Sequence, residues 1–249
     1  MKRIGVLTSG GDTPGMNAAI RAVFKTGVDI DLQVMGIYHG YKGLIEGRVG
    51  YLAHADVESK MHKGGTILRT ARSEEFKTEG GIEKAISVLR AYEIEGLIVI
   101  GGDGSFKGAD ALSKRGIPVI GIPGTIDNDM GYTDFTIGFD TAVNNVMNEI
   151  YKIRDTMRAH DRVGVIEVMG RRCGDIALWA GVAGAADIIL VPERPLSWAD
   201  AANRLAANKL RGQLTSIVMI AEGAGKAEDF CEYVRKYTDV EIKATVLGY

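Results

Sequence analysis

Short apolar runs alternate along the chain with segments whose apolar residues recur at helical spacing. Between the runs, Ile82, Ile86 and Leu89 share one face of a predicted helix. The runs themselves are typical of buried parallel strands and cover residues 3–8, 96–100, 118–122, 163–169 and 216–221. This rhythm predicts an α/β fold with an open, mostly parallel sheet and helices on both of its faces.

The last apolar segment, residues 240–246, alternates apolar with polar side chains, which predicts a half-buried strand. The chain stops at Tyr249 shortly after this strand, without a closing helix or a turn signal. We therefore expect the sequence to be cut short at its C-terminal end.

Composition narrows the class of protein. The chain has 249 residues, enough for one large or two modest domains, and its net charge of −2 does not favour nucleic acid or an anionic membrane as partner. Two cysteines are too few for a metal cluster and suggest a reducing compartment. Neither the N-terminal apolar run nor residues 176–186 are long enough for a signal peptide or a membrane span. We expect a cytoplasmic protein.

Glycine is unusually frequent, with 33 residues, or about 13% of the chain against an ordinary value of about 7%. Many of these glycines follow predicted strands, in the segments VLTSGGDTPGMN, IVIGGDGS, GIPGTIDND, EVMGRRCGD and IAEGAG. Ligands of open α/β sheets bind beyond the carboxyl ends of the strands. The glycines therefore predict a binding site at that edge.

Two glycine loops indicate phosphate chemistry. Residues 10–15 precede a helix predicted to begin near Met16, so that backbone N–H groups and the helix N-terminus can face an anion. In residues 101–105, glycines flank Asp103, whose carboxylate suits Mg²⁺ bound together with phosphates. The structural alternative is that Asp103 caps the following helix.

The segment PGTIDND, residues 123–129, supplies two more carboxylates. Phosphoryl transfer needs a base for the attacking hydroxyl and a metal on the phosphates, and Asp127 and Asp129 can divide these roles. An Asx-turn that uses both side chains locally is the alternative. Arg72, Arg162 and Arg171 are candidates for binding phosphate, although most arginines are simply solvated. The residues thus favour a Mg²⁺-dependent phosphoryl-transfer enzyme without naming its acceptor.

The segments GGDTPGMNAAIR, GGDGS, PGTIDND, IGFDTA, KIRDT, VMGR and AEG, in this order, closely resemble the bacterial ATP-dependent 6-phosphofructokinases over residues 1–249. That family phosphorylates the 1-hydroxyl of fructose 6-phosphate with MgATP, usually as a homotetramer. The resemblance implies two Rossmann-like three-layer α/β/α domains with mostly parallel sheets. Residues 1–138 would bind ATP, and residues 139–249 would bind fructose 6-phosphate and lack the family's C-terminal part.

The resemblance also assigns roles to residues. Asp127 would be the general base, with Thr125 and Arg171 as further catalytic residues, and Asp103 and Asp129 would bind Mg²⁺. ATP would contact Gly11, Arg72, Ser73, Gly102, Asp103, Gly104 and Ser105. The sugar phosphate would contact Thr125, Ile126, Asp127, Arg162, Met169, Gly170, Arg171, Glu222, Lys243 and Tyr249, with Arg162 and residue 243 reaching the phosphate of a neighbouring subunit's sugar.

Two glycines bear on the phosphoryl donor. Pyrophosphate-dependent relatives carry aspartate in place of Gly104 and lysine in place of Gly124, so glycine at both positions favours ATP. Lys243 and Tyr249 depart from the family's usual arginine and histidine, and a following arginine that binds the sugar phosphate is absent. These departures predict that the chain binds nucleotide better than it turns over sugar.

The family's effector site binds ADP or phosphoenolpyruvate between subunits. The matching residues here are Arg21, Lys25, Arg154, Ala185, Asp187, Arg211 and Gln213. His54 and Gln213 stand where basic residues are common, so we expect weaker effector binding. The alternative is that these side chains are ordinary exposed helix charges.

Three other functions compete with an ATP-dependent phosphofructokinase. A pyrophosphate-dependent phosphofructokinase is the nearest. A kinase of NAD or lipid would suit GGDGS alone, but PGTIDND and VMGR argue against it. A non-catalytic nucleotide-binding or regulatory subunit is favoured by Lys243, Tyr249 and the expected truncation.

Overall fold

The computed structural model describes residues 2–248, which form two compact units. The first unit contains the described residues up to Thr125 together with Met130–Gly138, and the second contains Ile126–Asp129 and the chain from Phe139 onwards. The short segment Ile126–Asp129 thus groups with the second unit, although the predicted boundary after residue 138 places it in the first.

The first unit is built on a six-stranded sheet with the strand order β3-β2-β1-β4-β5-β6. Its strands are β1 (Arg3–Thr8), β2 (Gln33–Ile37), β3 (Val49–Tyr51), β4 (Gly96–Gly101), β5 (Val119–Thr125) and β6 (Ile137–Gly138). Among the strand pairs that the described residues form in this sheet, only β2–β3 is antiparallel. Its helices are α1 (Met16–Asp29), α2 (Gly40–Ile45), α3 (His54–Val57), α4 (Glu79–Ala91) and α5 (Asp103–Ser113), with a 3₁₀ helix at Glu75–Lys77.

Apolar side chains cover both faces of this sheet. Along β1, Leu7 belongs to a core cluster that includes residues of α2, α4 and α5. Its neighbour Val6 belongs to a second cluster with residues of α1 and α3. Since successive side chains of a strand point to opposite faces, helices pack on both sides of the sheet.

The second unit has a four-stranded, fully parallel sheet with the order β10-β7-β9-β8. Its elements are α6 (Phe139–Ala159), β7 (Val163–Val168), α7 (Asp175–Ala183), β8 (Ile188–Leu190), α8 (Trp198–Leu210), β9 (Ser216–Ala221), α9 (Ala227–Tyr237) and β10 (Ile242–Val246). Val218 of β9 packs in a cluster with α8 and α9, and its neighbour Met219 packs with α6 and α7. The predicted α/β class with mostly parallel sheets is confirmed.

One predicted strand is less buried than expected. Residues 118–122 read as a buried run, but Ile120 of β5 is 63% exposed. The reason lies in the pairing: β6 bonds only to Gly124 and Thr125, so the first part of β5 forms an edge of the sheet.

None of the helices formed by residues 2–248 is both long enough and apolar enough to span a membrane.

Candidate active site

The two glycine loops of the first unit meet at one edge of its sheet. β1 and β4 are neighbouring parallel strands, so the loops after Thr8 and Gly101 leave the sheet side by side. Ser105, in the second loop, donates its hydroxyl to the backbone oxygen of Ser9 at 2.9 Å and is buried. This bond ties the two loops together.

The glycines of these loops differ in whether the backbone requires them. Gly10 has a φ of 89°, in the left-handed region that favours glycine, and its carbonyl accepts a 2.7 Å hydrogen bond from the Thr70 hydroxyl. Gly11 and Gly104, in contrast, have ordinary φ values, and a Cβ built on either one would meet no atom within 4 Å. Packing does not demand glycine at these two positions, and the open space over their backbone suits a ligand.

Asp103 is the first residue of α5, and Gly102 is the N-cap. The alternative interpretation of Asp103 as the capping residue is therefore wrong, because the helix has no side-chain cap at this end. Its exposed carboxylate instead forms an ion pair with Lys107 one turn later, with 2.7 Å between Oδ2 and Nζ. Mg²⁺ would compete with this ammonium group for the same oxygen.

The predicted metal ligands are compatible with a Mg²⁺ ion that is also bound by phosphate. Within residues 2–248, no three His, Cys, Asp or Glu side chains form a group that could bind a metal ion by themselves. Mg²⁺, however, is commonly bound by one or two carboxylates together with substrate phosphates and water. Asp103 in the first unit and Asp129 in the second are exposed carboxylates, and each by itself suits that mode of binding.

The sequence analysis missed Tyr41, which supports the second loop. Its hydroxyl donates to the Ser105 carbonyl at 2.6 Å, its ring stacks on Phe76 with centroids 4.0 Å apart, and burial raises its pKa well above the ordinary value. Gly108 is required beside this ring, because a Cβ there would lie 2.6 Å from a Tyr41 ring carbon. No local pattern indicates this contact, because Tyr41 and Ser105 are 64 positions apart in the chain.

Arg72 and Ser73 follow the Thr70 contact to the first loop. Arg72 is exposed, whereas the Ser73 hydroxyl accepts a hydrogen bond at 3.2 Å from the backbone N–H of Phe76, in the 3₁₀ helix that follows. Arg72 is thus the freer of the two to bind a ligand.

In the second unit, the structure brings the predicted base next to the predicted cation. The side chain of Asp127 is only 8% exposed, and its Oδ2 lies 3.4 Å from Nε of Arg171. The Arg171 side chain is 67% exposed. The structure thus places the predicted base and a cation within ion-pair distance of each other in this unit.

The loop after β7 has an unusual backbone conformation. Gly170 has a φ of 133° and Arg171 a φ of 54°. Glu222, which follows the neighbouring strand β9, accepts hydrogen bonds through Oε1 from both backbone N–H groups, at 3.2 Å and 2.7 Å. Glu222 therefore orders the loop that carries Met169, Gly170 and Arg171, and its second oxygen is not used in these two bonds.

Arg162 and Lys243 lie away from that loop within the same unit. Arg162 precedes β7, whereas Met169 follows it, and six residues of strand span roughly 20 Å. Arg162 binds Glu241 through two hydrogen bonds, which raise the pKa of the arginine and lower that of the glutamate. Lys243 is exposed on β10, beside Gly164 of β7. Tyr249 lies outside the described residues.

The predicted effector residues form one group in each unit. In the first, Glu58 binds Lys25 at 2.6 Å and Arg21 at 3.3 Å, and the hydrogen bonds from Lys25 and then Arg21 lower its pKa. His54 lies 3.9 Å from the same carboxylate.

In the second unit, Arg154 donates to the carbonyls of Gly184 and Ala185, at 2.5 Å and 2.8 Å. Gln213 donates to Asp187 at 2.6 Å, and Arg211 is exposed at the end of α8. Ala185 has a φ of 53°, so the loop that presents these carbonyls has a specific conformation.

The two cysteines are free thiols, and burial raises the pKa of both Cys173 and Cys231 to about 11. The thiolate is the reactive form, and it is populated only as the pH approaches that value. We expect alkylation by iodoacetamide at pH 8 to be on the order of 100-fold slower than for a free cysteine, and to accelerate up to about pH 11. Fast labelling of the native protein at pH 8, equal to labelling in urea, would contradict this.

Residues 3–249 match the family model described as phosphofructokinase. The whole chain is 53% identical to an ATP-dependent 6-phosphofructokinase of Clostridium botulinum and spans 78% of that protein. The protein of the same name in Clostridium novyi is also 53% identical over 249 residues, with the same coverage.

Solved structures of phosphofructokinases have the same fold. The structure from Saccharomyces cerevisiae superposes with a TM-score of 0.91 and 36% identity, over 100% of this chain and 38% of that one. A pyrophosphate-dependent phosphofructokinase from Marinobacter aquaeolei gives a TM-score of 0.88 over 100% of this chain and 69% of that one. Its identity is 24%, so it supports the fold alone.

Proposed function

The chain belongs to the phosphofructokinase family, and on that premise we propose that it transfers the γ-phosphoryl group of ATP to the 1-hydroxyl of fructose 6-phosphate. This reaction is the committed step of glycolysis. The observation that carries the proposal is the buried Asp127 carboxylate beside Arg171, two residues after the end of β5. The identity to ATP-dependent 6-phosphofructokinases supports the same reaction.

In this mechanism Asp127 accepts the proton of the attacking hydroxyl. Arg171 stabilises the carboxylate before transfer and the charge on the moving phosphoryl group during it. Thr125 and Ile126 precede the base, and together with Met169, Gly170 and Glu222 they line the sugar site. Mg²⁺ bound by Asp103 and Asp129 would neutralise charge on the phosphates of ATP.

ATP is the proposed donor because the loop is open at Gly104. No atom lies within 4 Å of a Cβ built at this residue, so the absence of a side chain leaves space for the nucleotide. Gly11, Arg72, Ser73, Gly102 and Ser105 complete the proposed ATP site. Gly124 is consistent with this donor, because a Cβ there would already lie 3.2 Å from Ile100.

We also propose a homotetramer, which would bring Arg162 and Lys243 of one subunit to the sugar phosphate bound by another. The outer face of α7 supports association of copies: Leu178, Trp179 and Val182 are exposed there, as is Tyr151 of α6. ADP or phosphoenolpyruvate would bind between subunits at the two effector groups. A cytoplasmic location is proposed because both cysteines are free and because the substrates are a sugar phosphate and a nucleotide.

A charge on the outer face of α7 tests the assembly. Val182→Lys is expected to shift sedimentation velocity toward smaller species, because the side chain is 68% exposed and its replacement would place a desolvated ammonium in the interface. Val246→Lys on β10 is the control, since Val246 is similarly exposed at 65%. Equal sedimentation of the two variants would argue against this face as the interface.

A coupled assay of the purified chain with fructose 6-phosphate tests the proposed reaction. Turnover with MgATP but not with pyrophosphate is the expected result. Turnover with pyrophosphate alone would instead indicate a pyrophosphate-dependent enzyme. Binding of ATP without turnover would support a regulatory subunit. Lys243 favours that function, because lysine lacks the bidentate geometry with which arginine binds a phosphate.

A further inference from the structure

We infer that Asp175 is a positioning residue, which orients the base Asp127 through a hydrogen bond to the side chain of Asn128. The inference rests on the proposed function for its kinetic consequence. Asn128 Nδ2 donates to Asp175 Oδ2 at 2.8 Å, and both residues are half-buried in the second unit. The two residues are 47 positions apart in the chain, so the bond joins two loops that the sequence keeps separate.

Asn128 is the residue through which such a bond can act on the base. It follows Asp127 directly and has a φ of 53°, a left-handed conformation that asparagine tolerates better than most side chains. The direction of the Asp127 side chain depends on the backbone at this turn. A hydrogen bond that holds the Asn128 side chain therefore restricts the adjacent carboxylate as well.

Asp175 is itself held in place. It is the first residue of α7, and Gly174 before it donates its backbone N–H to Oε1 of Glu193 at 2.7 Å. A Cβ at Gly174 would lie 2.6 Å from the other oxygen of Glu193, so the glycine lets this carboxylate approach the backbone closely. Glu193, Gly174, Asp175 and Asn128 thus form a continuous chain of contacts that ends beside Asp127.

The same loop carries the partner of the base. Arg171 donates its backbone N–H to Glu222 at 2.7 Å, and its guanidinium lies 3.4 Å from Asp127. One carboxylate therefore anchors the cation, and a second one, Asp175, anchors the base. Loss of Asp175 should disturb the geometry of the base and leave the Glu222 contacts intact.

Asp175→Ala is expected to lower kcat by about 10- to 100-fold with less than a threefold change in the KM for fructose 6-phosphate, because a small displacement of a catalytic group is costly. Asp175→Asn should restore most of the rate, since its amide oxygen still accepts from Asn128. Asp229→Ala is the matched control: Asp229 is an exposed acid in the first turn of α9, so it shares the interaction with a helix N-terminus but lies in a different helix.

Hydrogen exchange of the peptide that contains residues 126–129 provides a readout independent of activity. Faster exchange in Asp175→Ala than in Asp229→Ala is expected. Equal exchange in these variants, or the same kcat in Asp175→Ala and Asp175→Asn, would overturn the inference. If the unmodified chain does not phosphorylate fructose 6-phosphate, the proposed function fails, and the exchange comparison alone decides whether Asp175 orders this turn.

Discussion

Replacing Asp127 with serine should lower kcat by about 10²- to 10⁴-fold and leave the binding of fructose 6-phosphate nearly unchanged. General-base catalysis accounts for factors of this size, and a serine hydroxyl does not accept the proton of an alcohol at neutral pH. The loss should appear in kcat, because the base acts on the hydroxyl in the transition state.

The fold should tolerate this substitution. Asp127 is buried, but the side chain of its partner Arg171 is largely exposed, so the guanidinium regains water when the carboxylate is removed. Asp229→Ser, on the surface of the same unit, controls for the loss of one carboxylate. Isothermal titration with the sugar phosphate would separate binding from turnover. If Asp127→Ser turned over at the rate of the unmodified chain, Asp127 would not be the base.

The sequence predicted strands best where one strand is buried on both faces. β1, β4, β7 and β9 are central strands, and each reads as a mainly apolar run. β3 and β8 have three residues each, too few for a periodicity to develop. β2 begins with the polar Gln33 and has only three apolar side chains besides Gly36. Such short strands are specified by their neighbours more than by their own pattern, whereas the alternation of β10 was long enough to predict an edge strand.

The candidate site shows the same division between local and long-range information. The spacing of Asp103 and Lys107 at i, i+4 could have indicated their ion pair, because such residues are neighbours on a helix. The bonds Asn128–Asp175 and Arg162–Glu241 link residues 47 and 79 positions apart, and no local pattern predicts them. The motifs therefore predicted the chemical groups of the site, and the structure shows which of these groups are paired.

The hydrogen bonds of Glu222 add a second role to the one that the sequence predicts for it. The resemblance implies that it binds sugar hydroxyls, and its position after β9 agrees with a site at the carboxyl ends of the strands. In the structure one of its oxygens already accepts two backbone N–H groups of the neighbouring loop. A single carboxylate can thus order the loop with one oxygen and leave the other for a ligand, so its substitution would affect both the loop and sugar binding.

Gly104→Asp should lower kcat/KM for ATP by about 10²-fold or more. The new carboxylate would extend into the open space beside the proposed triphosphate, and two like charges about 4 Å apart repel by about 4 kcal/mol at an effective dielectric constant of 20. Each 1.4 kcal/mol corresponds to a factor of ten, and screening by Mg²⁺ and salt reduces the full value. The fold should be unaffected, because a Cβ at Gly104 meets no atom within 4 Å.

Gly80→Asp is a closely matched control for this variant. Gly80 and Gly104 each occupy the second position of a helix in the same unit, α4 and α5, and both have open space around a built Cβ. Propensity and the helix dipole therefore change alike in the two variants. Steady-state kinetics with varied MgATP would distinguish them. If Gly104→Asp lost no more activity than Gly80→Asp, the carboxylate added at residue 104 would not lie beside the triphosphate. Gly104 would then not belong to the ATP site.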